Sequence, residues 1–203
     1  MKNLLCIIGR TASGKDTVAK YLRNERGLKQ VVSYTNRPKR DDETDGVEHY
    51  FVSDEQFKQI MKEDEIAAYT KLEDKKTGVK GYEYCATVGE VLNSDVYVID
   101  PNGIESLKEE FKDIGIDINF IYIYIFCDKD EREERVKASN RGSGALAAFK
   151  ERDDNEDAQF SLYERKHLGS RENNRYWIDN RKSKEELLIK VDHVLAKIKE
   201  DHK

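Results

Sequence analysis

The sequence Gly9-Arg10-Thr11-Ala12-Ser13-Gly14-Lys15 fits the P-loop pattern and decides the fold. In this pattern, glycines let the backbone wrap so that its N–H groups face phosphate oxygens, and the lysine adds a positive charge. The apolar run Leu4 to Ile8 before it predicts a buried strand, and the apolar period from Lys15 to Gly27 predicts a helix. The alternative is a tight turn without a phosphate site. The position between a predicted strand and a predicted helix favours the P-loop, because this motif requires it.

Outward from this stretch, strand and helix patterns alternate along the chain. Capping-box pairs predict helix starts at Ser53, Thr87 and Ser183, and the last of these begins an amphipathic closing helix. The further predicted strands are Val31 to Tyr34, Val96 to Ile99, Phe120 to Phe126 and Tyr176 to Ile178. The alternation predicts an α/β fold: a P-loop parallel sheet with helices on both faces and ligands at the carboxyl ends of its strands.

The P-loop is the predicted ATP site, and this site also supplies candidate magnesium ligands. The ATP-binding residues are Gly9, Arg10, Thr11, Ala12, Ser13, Gly14, Lys15, Asp16 and Thr17. A P-loop usually has a Ser or Thr after its lysine, whereas this chain has Asp16, whose carboxylate is also a hard oxygen ligand suited to Mg²⁺. Asp100, which ends a predicted strand, is the second predicted ligand. The alternatives are a first-turn acid favoured by the helix dipole for Asp16 and a helix N-cap for Asp100.

The segment Ser33 to Arg40, followed by Asp45 to Phe51, resembles the segment by which guanylate kinases hold the phosphate of the acceptor nucleotide. The resemblance implies that the phosphate is contacted by Ser33, Arg37, Arg40 and Tyr50, and that Tyr84 and Thr87 also bind the acceptor. Guanidinium forks and hydroxyl groups suit a phosphate dianion, which agrees with this assignment. A solvated basic loop is the alternative.

The resemblance continues into a Gly-rich stretch, Ser139 to Ala145, where guanylate kinases carry a mobile lid. It implies that Arg135, Arg141 and Arg152 are lid arginines that act in catalysis together with Lys15 and Arg40, because a closing lid supplies positive charge and excludes water. In the alternative, Arg135 pairs with the nearby acids Glu131, Glu133 and Glu134.

Two positions depart from the family pattern for reading guanine. Where guanylate kinases have a Glu and a Ser or Thr, this chain has Ala68 and Ala86. A buried base edge without its hydrogen-bond partner costs about 1 to 3 kcal/mol, enough to change the base preference by one to two orders of magnitude. The departure leaves open whether Thr87 or the Lys71 to Gly81 connection reads the base instead.

The resemblance implies one guanylate-kinase-like domain over residues 1–203. Its predicted parts are a core (about 1–33, 87–135 and 151–203), an acceptor-binding subdomain (about 34–86) and a small lid (about 136–150). The implied function is Mg²⁺-dependent phosphoryl transfer from ATP to GMP or dGMP. Two alternatives stay open: a kinase for other or several nucleoside monophosphates, and a non-catalytic binding module, although such modules typically lack an intact P-loop.

Composition argues against several other classes of protein. The net charge of -5, from 36 Lys and Arg against 41 Asp and Glu, disfavours a general nucleic-acid or membrane surface. Three widely spaced cysteines give neither a disulfide framework nor a zinc spacing, and the short N-terminal apolar run is too brief for a signal peptide or a membrane span. We therefore expect a cytoplasmic monomer or homodimer with ATP and a nucleoside monophosphate as its partners.

Overall fold

The computed structural model describes residues 2–39, 43–71, 81–139, 144–167 and 174–202. Strands and helices alternate along the chain, as predicted. The strands are β1 (Lys2–Ile8), β2 (Ser33–Thr35), β3 (His49–Phe51), β4 (Ile66–Lys71), β5 (Glu83–Thr87), β6 (Val96–Val98), β7 (Ile118–Phe126) and β8 (Arg175–Asp179). The helices are α1 (Lys15–Arg26), α2 (Asp54–Glu63), α3 (Val88–Leu92), α4 (Pro101–Asp113), α5 (Lys129–Ala138), α6 (Ala145–His167) and α7 (Lys184–Asp201).

One sheet has the strand order β6-β1-β7-β8. Its strands β7 and β8 run parallel, with Ile123 opposite Tyr176 and Ile125 opposite Ile178. The continuous apolar run of β1 is buried, as expected of a strand covered on both faces. This sheet and the helices that alternate with its strands confirm the predicted α/β class.

A second sheet has the order β3-β2-β5-β4. Strand β2 pairs in parallel with β3 and antiparallel with β5, which in turn pairs antiparallel with β4. The sequence predicted a strand over Val31 to Tyr34, but it did not predict β3, β4 or β5. These strands were missed because a three-residue or polar strand carries little apolar alternation.

The helix boundaries follow the local signals that predicted them. Helix α1 ends at Gly27, which has a φ of 66° and donates its backbone N–H to the carbonyl of Leu22. Ser53 and Gln56 form the capping box of α2. Thr87 and Ser183 each accept the backbone N–H of the glutamate three residues later. All three predicted helix starts are therefore confirmed.

The chain divides into two compact units, which are described separately. Unit 1 consists of Met1–Leu4, Leu28–Tyr97 and Asn102–Asn119. Unit 2 consists of Leu5–Gly27, Val98–Pro101 and Phe120–Lys203. The P-loop belongs to unit 2, and the predicted acceptor-binding segment belongs to unit 1. The finer division into core, acceptor-binding subdomain and lid stays a prediction.

The C-terminal end of α1 gives a test of local backbone strain. A Cβ added to Gly27 meets nothing within 4 Å, so the cost of Gly27→Ala comes from the left-handed backbone alone. We expect this substitution to lower the free energy of unfolding by about 1 kcal/mol. Denaturant titration of the purified variant measures the change.

Gly89→Ala is the matched control, because Gly89 lies in α3 and a Cβ there meets only Thr87 Oγ1, at 3.9 Å. A helical Gly→Ala change raises stability by about 0.5 to 1 kcal/mol. Equal effects of the two substitutions would contradict the strain argument.

Candidate functional site: the P-loop and the acceptor cluster

The P-loop, Gly9 to Lys15, joins β1 to α1 in unit 2 through two left-handed residues. Ala12 has a φ of 63° and Gly14 a φ of 101°. A Cβ added to Gly9 would lie 2.4 Å from Ser13 Oγ and 2.7 Å from the carbonyl oxygen of Ile125 in β7, which is too close for any side chain. Glycine is therefore required at position 9 by the turn itself.

Donors from two other segments hold the carbonyl oxygen of Ser13. The buried Asn180, which directly follows β8, donates its Nδ2 to this oxygen at 2.7 Å. Arg135 in α5 donates to the same oxygen at 3.4 Å and to the carbonyl of Asn180 at 2.6 Å. The predicted lid arginine therefore holds the P-loop in this structure, and it does so through carbonyl groups. Sequence reasoning missed Asn180, whose one signal is its place shortly after a predicted strand.

Arg132 in α5 donates to a second carbonyl oxygen of the P-loop, that of Thr11. It donates to Thr11 O at 3.1 Å, to Cys127 O at 3.2 Å and to the carboxylate of Asp153 in α6 at 2.6 Å. The side chains of Arg132 and Asp153 are 3% and 5% exposed, so the ion pair is buried. Burial alone would raise the pKa of Asp153, but hydrogen bonds from Lys129 and Arg132 lower it overall. Sequence reasoning missed this pair, because a charged residue in a helix is usually exposed.

Glu156 in α6 binds the outer side of the P-loop. Its two carboxylate oxygens accept the backbone N–H of Thr11 at 2.9 Å and the hydroxyl of Thr11 at 2.6 Å. A carboxylate and a phosphate offer similar acceptor oxygens to a backbone N–H group. The third residue of the P-loop is therefore already hydrogen bonded to a carboxylate of the protein.

Arg10 is the centre of a polar cluster on α6. It donates to Glu164 at 3.1 Å, to Asp157 at 2.9 Å and to Ser161 at 3.1 Å. Burial would lower the pKa of Arg10, but hydrogen bonds to these two carboxylates raise it overall, so the guanidinium stays charged. The hydroxyl of Tyr124 in β7 donates to the same Glu164. Arg10 thus ties the P-loop to α6.

A cavity of about 510 Å³ lies in unit 2 beside Arg10. This volume is within the range of small-molecule binding sites. Charged side chains of both signs line most of it; they include Arg10, Lys129, Arg132, Asp153, Asp157 and Glu164. The cavity is therefore strongly polar and contains the ion pairs just described.

The predicted magnesium ligands both belong to unit 2. Asp16 lies in the first turn of α1 and is exposed, between the half-buried Lys15 and Thr17. Asp100 is half-buried and directly precedes Pro101, the first residue of α4. Within the described residues, no group of three or more His, Cys, Asp or Glu side chains is arranged to hold a metal ion. The metal assignment of both aspartates stays a prediction.

Four side chains of unit 1, Ser33, Arg37, His49 and Tyr84, form what we call the acceptor cluster. Ser33 Oγ lies 2.8 Å from His49 Nδ1, and Arg37 Nε donates to the hydroxyl of Tyr84 at 3.1 Å. The rings of His49 and Tyr84 meet edge to face at 5.6 Å. The structure therefore brings together three of the predicted acceptor-binding residues and adds His49, which sequence reasoning missed.

Arg37 is buried, and its guanidinium is already hydrogen bonded to other groups of the protein. Its terminal nitrogens donate to both carboxylate oxygens of Glu43, one of them at 2.7 Å, and to the carbonyl of Pro38 at 3.0 Å. Its guanidinium also lies 5.1 Å from the ring centre of Phe51. Of the five N–H groups of an arginine, one is left without a partner among the described residues. Arg37 therefore has no open fork for a phosphate unless Glu43 moves.

Tyr50 lies on the other face of the second sheet. Successive residues of a strand alternate between the two faces, so Tyr50 and its neighbour His49 point in opposite directions. Tyr50 is opposite Tyr34 in the strand register and stacks on it, with ring centres 4.9 Å apart. The role predicted for Tyr50 stays a prediction, but His49 is the residue of β3 that joins the acceptor cluster.

The two alanines that depart from the family pattern are paired across β4 and β5. Ala68 is opposite Ala86, and the two residues are 3% and 0% exposed. Ala86 follows Tyr84 by two residues in β5, so both lie on the same face of the sheet. Thr87 Oγ1 accepts the backbone N–H of Glu90 as the cap of α3. The part of the sheet face formed by Ala68 and Ala86 is therefore apolar.

The remaining predicted catalytic residues are only partly placed. Arg40 and Arg141 lie outside the described residues. Arg152 is half-buried in α6, next to Asp153. The catalytic assignment of all three arginines stays a prediction.

Comparisons with known proteins agree on one family. Residues 1–175 match the family model described as guanylate kinase. The guanylate kinase of Caldanaerobacter subterraneus subsp. tengcongensis is 34% identical over 135 residues, which are 66% of this chain and 63% of that protein. The match thus spans slightly less than two thirds of that relative. The guanylate kinase of Fusobacterium nucleatum subsp. nucleatum is 29% identical over 143 residues, 69% of this chain and 72% of that protein.

A crystal structure of guanylate kinase from Anaplasma phagocytophilum is similar in fold. It has a TM-score of 0.56 and 19% sequence identity, and the match covers 100% of this chain and 87% of that one. At this identity, the similarity supports the fold alone.

The buried pair of Arg132 and Asp153 gives a test of how the P-loop is held. We expect Arg132→Met to lower the free energy of unfolding by about 3 kcal/mol, because it leaves Asp153 buried with Lys129 alone. The double variant Arg132→Met/Asp153→Leu should recover part of this loss, since apolar side chains can replace the buried ion pair but not the hydrogen bonds to the carbonyls of Thr11 and Cys127. Denaturant titrations of the single and double variants form the double-mutant cycle.

Lys137→Met is the control for this cycle, because the exposed Lys137 pairs with the half-buried Glu133 and the exposed Glu134 of the same helix. An Arg132→Met loss no larger than that of the control would contradict the structural role. The lowered pKa of Asp153 adds a pH signature. The stabilisation is present above the unfolded pKa of about 3.9 and is lost as the pH falls through the lower folded pKa.

Proposed function

Because the chain belongs to the guanylate kinase family, we propose that it transfers the γ-phosphoryl group of ATP to a nucleoside monophosphate, with GMP and dGMP as acceptors. The observation that carries this proposal is the intact P-loop between β1 and α1. Its left-handed turn and the start of α1 have the backbone form that surrounds phosphate groups in this motif. The curated relatives are named guanylate kinases, which supports a guanylate as the acceptor.

In the proposed reaction, an oxygen of the acceptor phosphate attacks the γ-phosphorus of ATP in line. The bond from that phosphorus to the oxygen bridging to the β-phosphate breaks, and ADP leaves. Such a transfer needs positioning and stabilisation of charge more than covalent help from the protein. Lys15, at the first position of α1, would supply charge to the transferred group together with Arg40, Arg135, Arg141 and Arg152.

The aspartates of unit 2 suit a magnesium ion that accompanies ATP. Mg²⁺ is usually held by one or two carboxylates, with waters and substrate phosphates completing its shell, so a cluster of three protein ligands is not required. The exposed carboxylate of Asp16 and the carboxylate of Asp100 are hard oxygen donors of this kind. A bound Mg²⁺ would neutralise charge that develops on the phosphate oxygens.

One observation favours an alternative acceptor. The paired Ala68 and Ala86 offer no side-chain hydrogen bond to a base, and both are buried. A kinase for other or several nucleoside monophosphates is therefore the second candidate. The reaction is the same in both candidates, and only the acceptor differs.

Other classes have less support. A non-catalytic binding module would not need the P-loop geometry described above. In the part of the chain that the structure describes, no helix is long and apolar enough to cross a membrane. A cytoplasmic location, a monomeric or homodimeric state and the absence of nucleic-acid binding stay predictions.

A coupled assay of ADP release tests the proposed function. Mg-ATP is supplied with each ribo- and deoxyribonucleoside monophosphate in turn. We expect turnover with GMP and dGMP and a loss of at least about 100-fold in kcat for Lys15→Met, because this variant removes charge stabilisation at the transferred group.

Lys184→Met, a change at an exposed lysine at the start of α7, is the control for loss of one positive charge. Turnover with other bases and not with guanine would support the second candidate. No turnover with any acceptor, from a folded protein, would reject both kinase candidates.

Asp16 gives a separate prediction on the metal. With EDTA present, its carboxylate should repel the triphosphate, and with Mg²⁺ present it should help to hold the ion. We therefore expect Asp16→Ser to bind a non-hydrolysable ATP analogue more tightly than wild type without metal, and to gain less from added Mg²⁺. Calorimetric titration with and without Mg²⁺ measures both affinities and needs no turnover.

Asp130→Ser is the control, because Asp130 is an exposed acid in the first turn of α5. If Asp16 is only a first-turn acid, both variants should lose a few tenths of a kcal/mol of stability and bind the analogue like wild type. That outcome would reject the metal role of Asp16.

A further inference from the structure

We propose that His49 is a positioning residue for the acceptor phosphate, and that its protonation turns the hydroxyl of Ser33 towards that phosphate. The inference rests on the proposed function, because it takes a nucleoside monophosphate as the ligand of unit 1. It assigns a titratable group to the acceptor cluster. It also predicts that acceptor binding weakens as the pH rises past the histidine's own titration.

The first step is the contact between Ser33 and His49. Ser33 is 7% exposed and lies opposite His49 in the parallel pairing of β2 and β3. Its Oγ is 2.8 Å from His49 Nδ1, which is a hydrogen-bond distance. The strand register therefore fixes both side chains on one face, and the contact does not depend on a mobile side chain.

The second step is a count of protons on this contact. The donor and acceptor of this contact depend on the tautomer of His49: in the neutral form with its proton on Nε2, Nδ1 has no proton and can only accept the single hydroxyl proton of Ser33. In that state the hydroxyl proton of Ser33 is used by the histidine, and only oxygen lone pairs are left for a phosphate. When His49 is protonated, both ring nitrogens carry protons and Nδ1 becomes the donor to Ser33 Oγ. The hydroxyl proton is then released and can be donated to a phosphate oxygen.

The third step is the charge around the ring. Among the described residues, Ser33 in β2, Tyr84 in β5 and Phe51 in its own strand contact His49. The nearest fixed charge that these contacts reach is Arg37, which hydrogen bonds to Tyr84.

The carboxylate of Glu43 is 2.7 Å from Arg37 and balances its charge. Next to His49 along the chain are Glu48 and the backbone partner Asp45; the side chain of Glu48 accepts the Thr44 N–H, and that of Asp45 accepts the Phe51 N–H. Histidine is the side chain whose unperturbed pKa, about 6.5, places its change of charge within the physiological range.

The fourth step concerns the positive charge that a protonated His49 would offer to the acceptor phosphate. The Arg37 fork is closed by Glu43, so positive charge for the acceptor phosphate must come largely from elsewhere. A protonated His49 adds a charge and frees a hydroxyl donor at the same point. Protonation and phosphate binding should therefore favour each other, and by linkage acceptor binding should take up protons.

Calorimetric titration of GMP into the full chain tests this proposal. Titrations at pH 7.5 in two buffers with different ionisation enthalpies give the number of protons taken up. A phosphate monoester has its second pKa near 6, so at this pH the acceptor is almost fully ionised and contributes little. We expect wild type to take up a fraction of a proton and to bind GMP about three- to tenfold more weakly at pH 8.0 than at pH 6.5.

Three variants separate the possible causes. His49→Asn keeps a polar group near Nδ1 but does not titrate, so its proton uptake and its pH effect on GMP affinity should disappear. Ser33→Ala should bind GMP more weakly and show a clearly smaller pH effect, because the proposed coupling acts through the hydroxyl. His193→Asn, a change at an exposed histidine of α7, should behave like wild type.

The outcomes distinguish this inference from the proposed function. GMP binding with equal pH profiles in wild type and His49→Asn would overturn the role of His49 and leave the kinase proposal intact. An unchanged pH effect in Ser33→Ala would show that His49 acts directly and would overturn the positioning role. Absence of GMP binding at every pH, with a folded wild-type protein, would reject both.

Discussion

The structure depends on one constraint of the P-loop backbone. A loop that directs its N–H groups at phosphates must direct its carbonyl groups into the protein, where each needs a donor. The carbonyl of Arg10 accepts from the N–H of Ser13, that of Thr11 from Arg132, and that of Ser13 from Asn180. Two of the three donors are side chains from distant parts of the sequence. The phosphate-binding form of the loop is therefore maintained by residues outside the motif.

This constraint explains the composition of α6. Its residues 153, 156, 157, 161 and 164 bind Arg132, Thr11 and Arg10, and they recur every three or four positions, with 156 and 157 adjacent, which places them on one side of the helix. That side carries the polar contacts, and the buried apolar residues of the helix, Phe149, Phe160 and Tyr163, are too widely spaced to give a continuous hydrophobic pattern. Helices α1 and α7 were predictable because their buried sides are apolar, whereas α6 packs through ion pairs together with a few aromatic side chains.

The candidate site divides in the same way into a predictable and an unpredictable part. The P-loop could be predicted because turn geometry and phosphate chemistry both act within seven consecutive residues. The acceptor cluster was found only in part, since its members meet through strand pairing. Whether His49 or Tyr50 joins Ser33 depends on the strand register, and a shift of one residue exchanges the two faces. The sequence of β3 is compatible with either register, so only the structure distinguishes them.

Both units contain arginines that are paired with carboxylates, and these pairs affect how a phosphate can bind. Arg37 is held by Glu43, and Arg10 and Arg132 are held by carboxylates of α6. A buried guanidinium without a partner would cost several kcal/mol, so these acids stabilise the cations when no phosphate is present. A phosphate that displaced such an acid would exchange one anion for another and gain little. Net affinity must therefore come from donors with no carboxylate of their own, such as backbone N–H groups, hydroxyls and a protonated histidine.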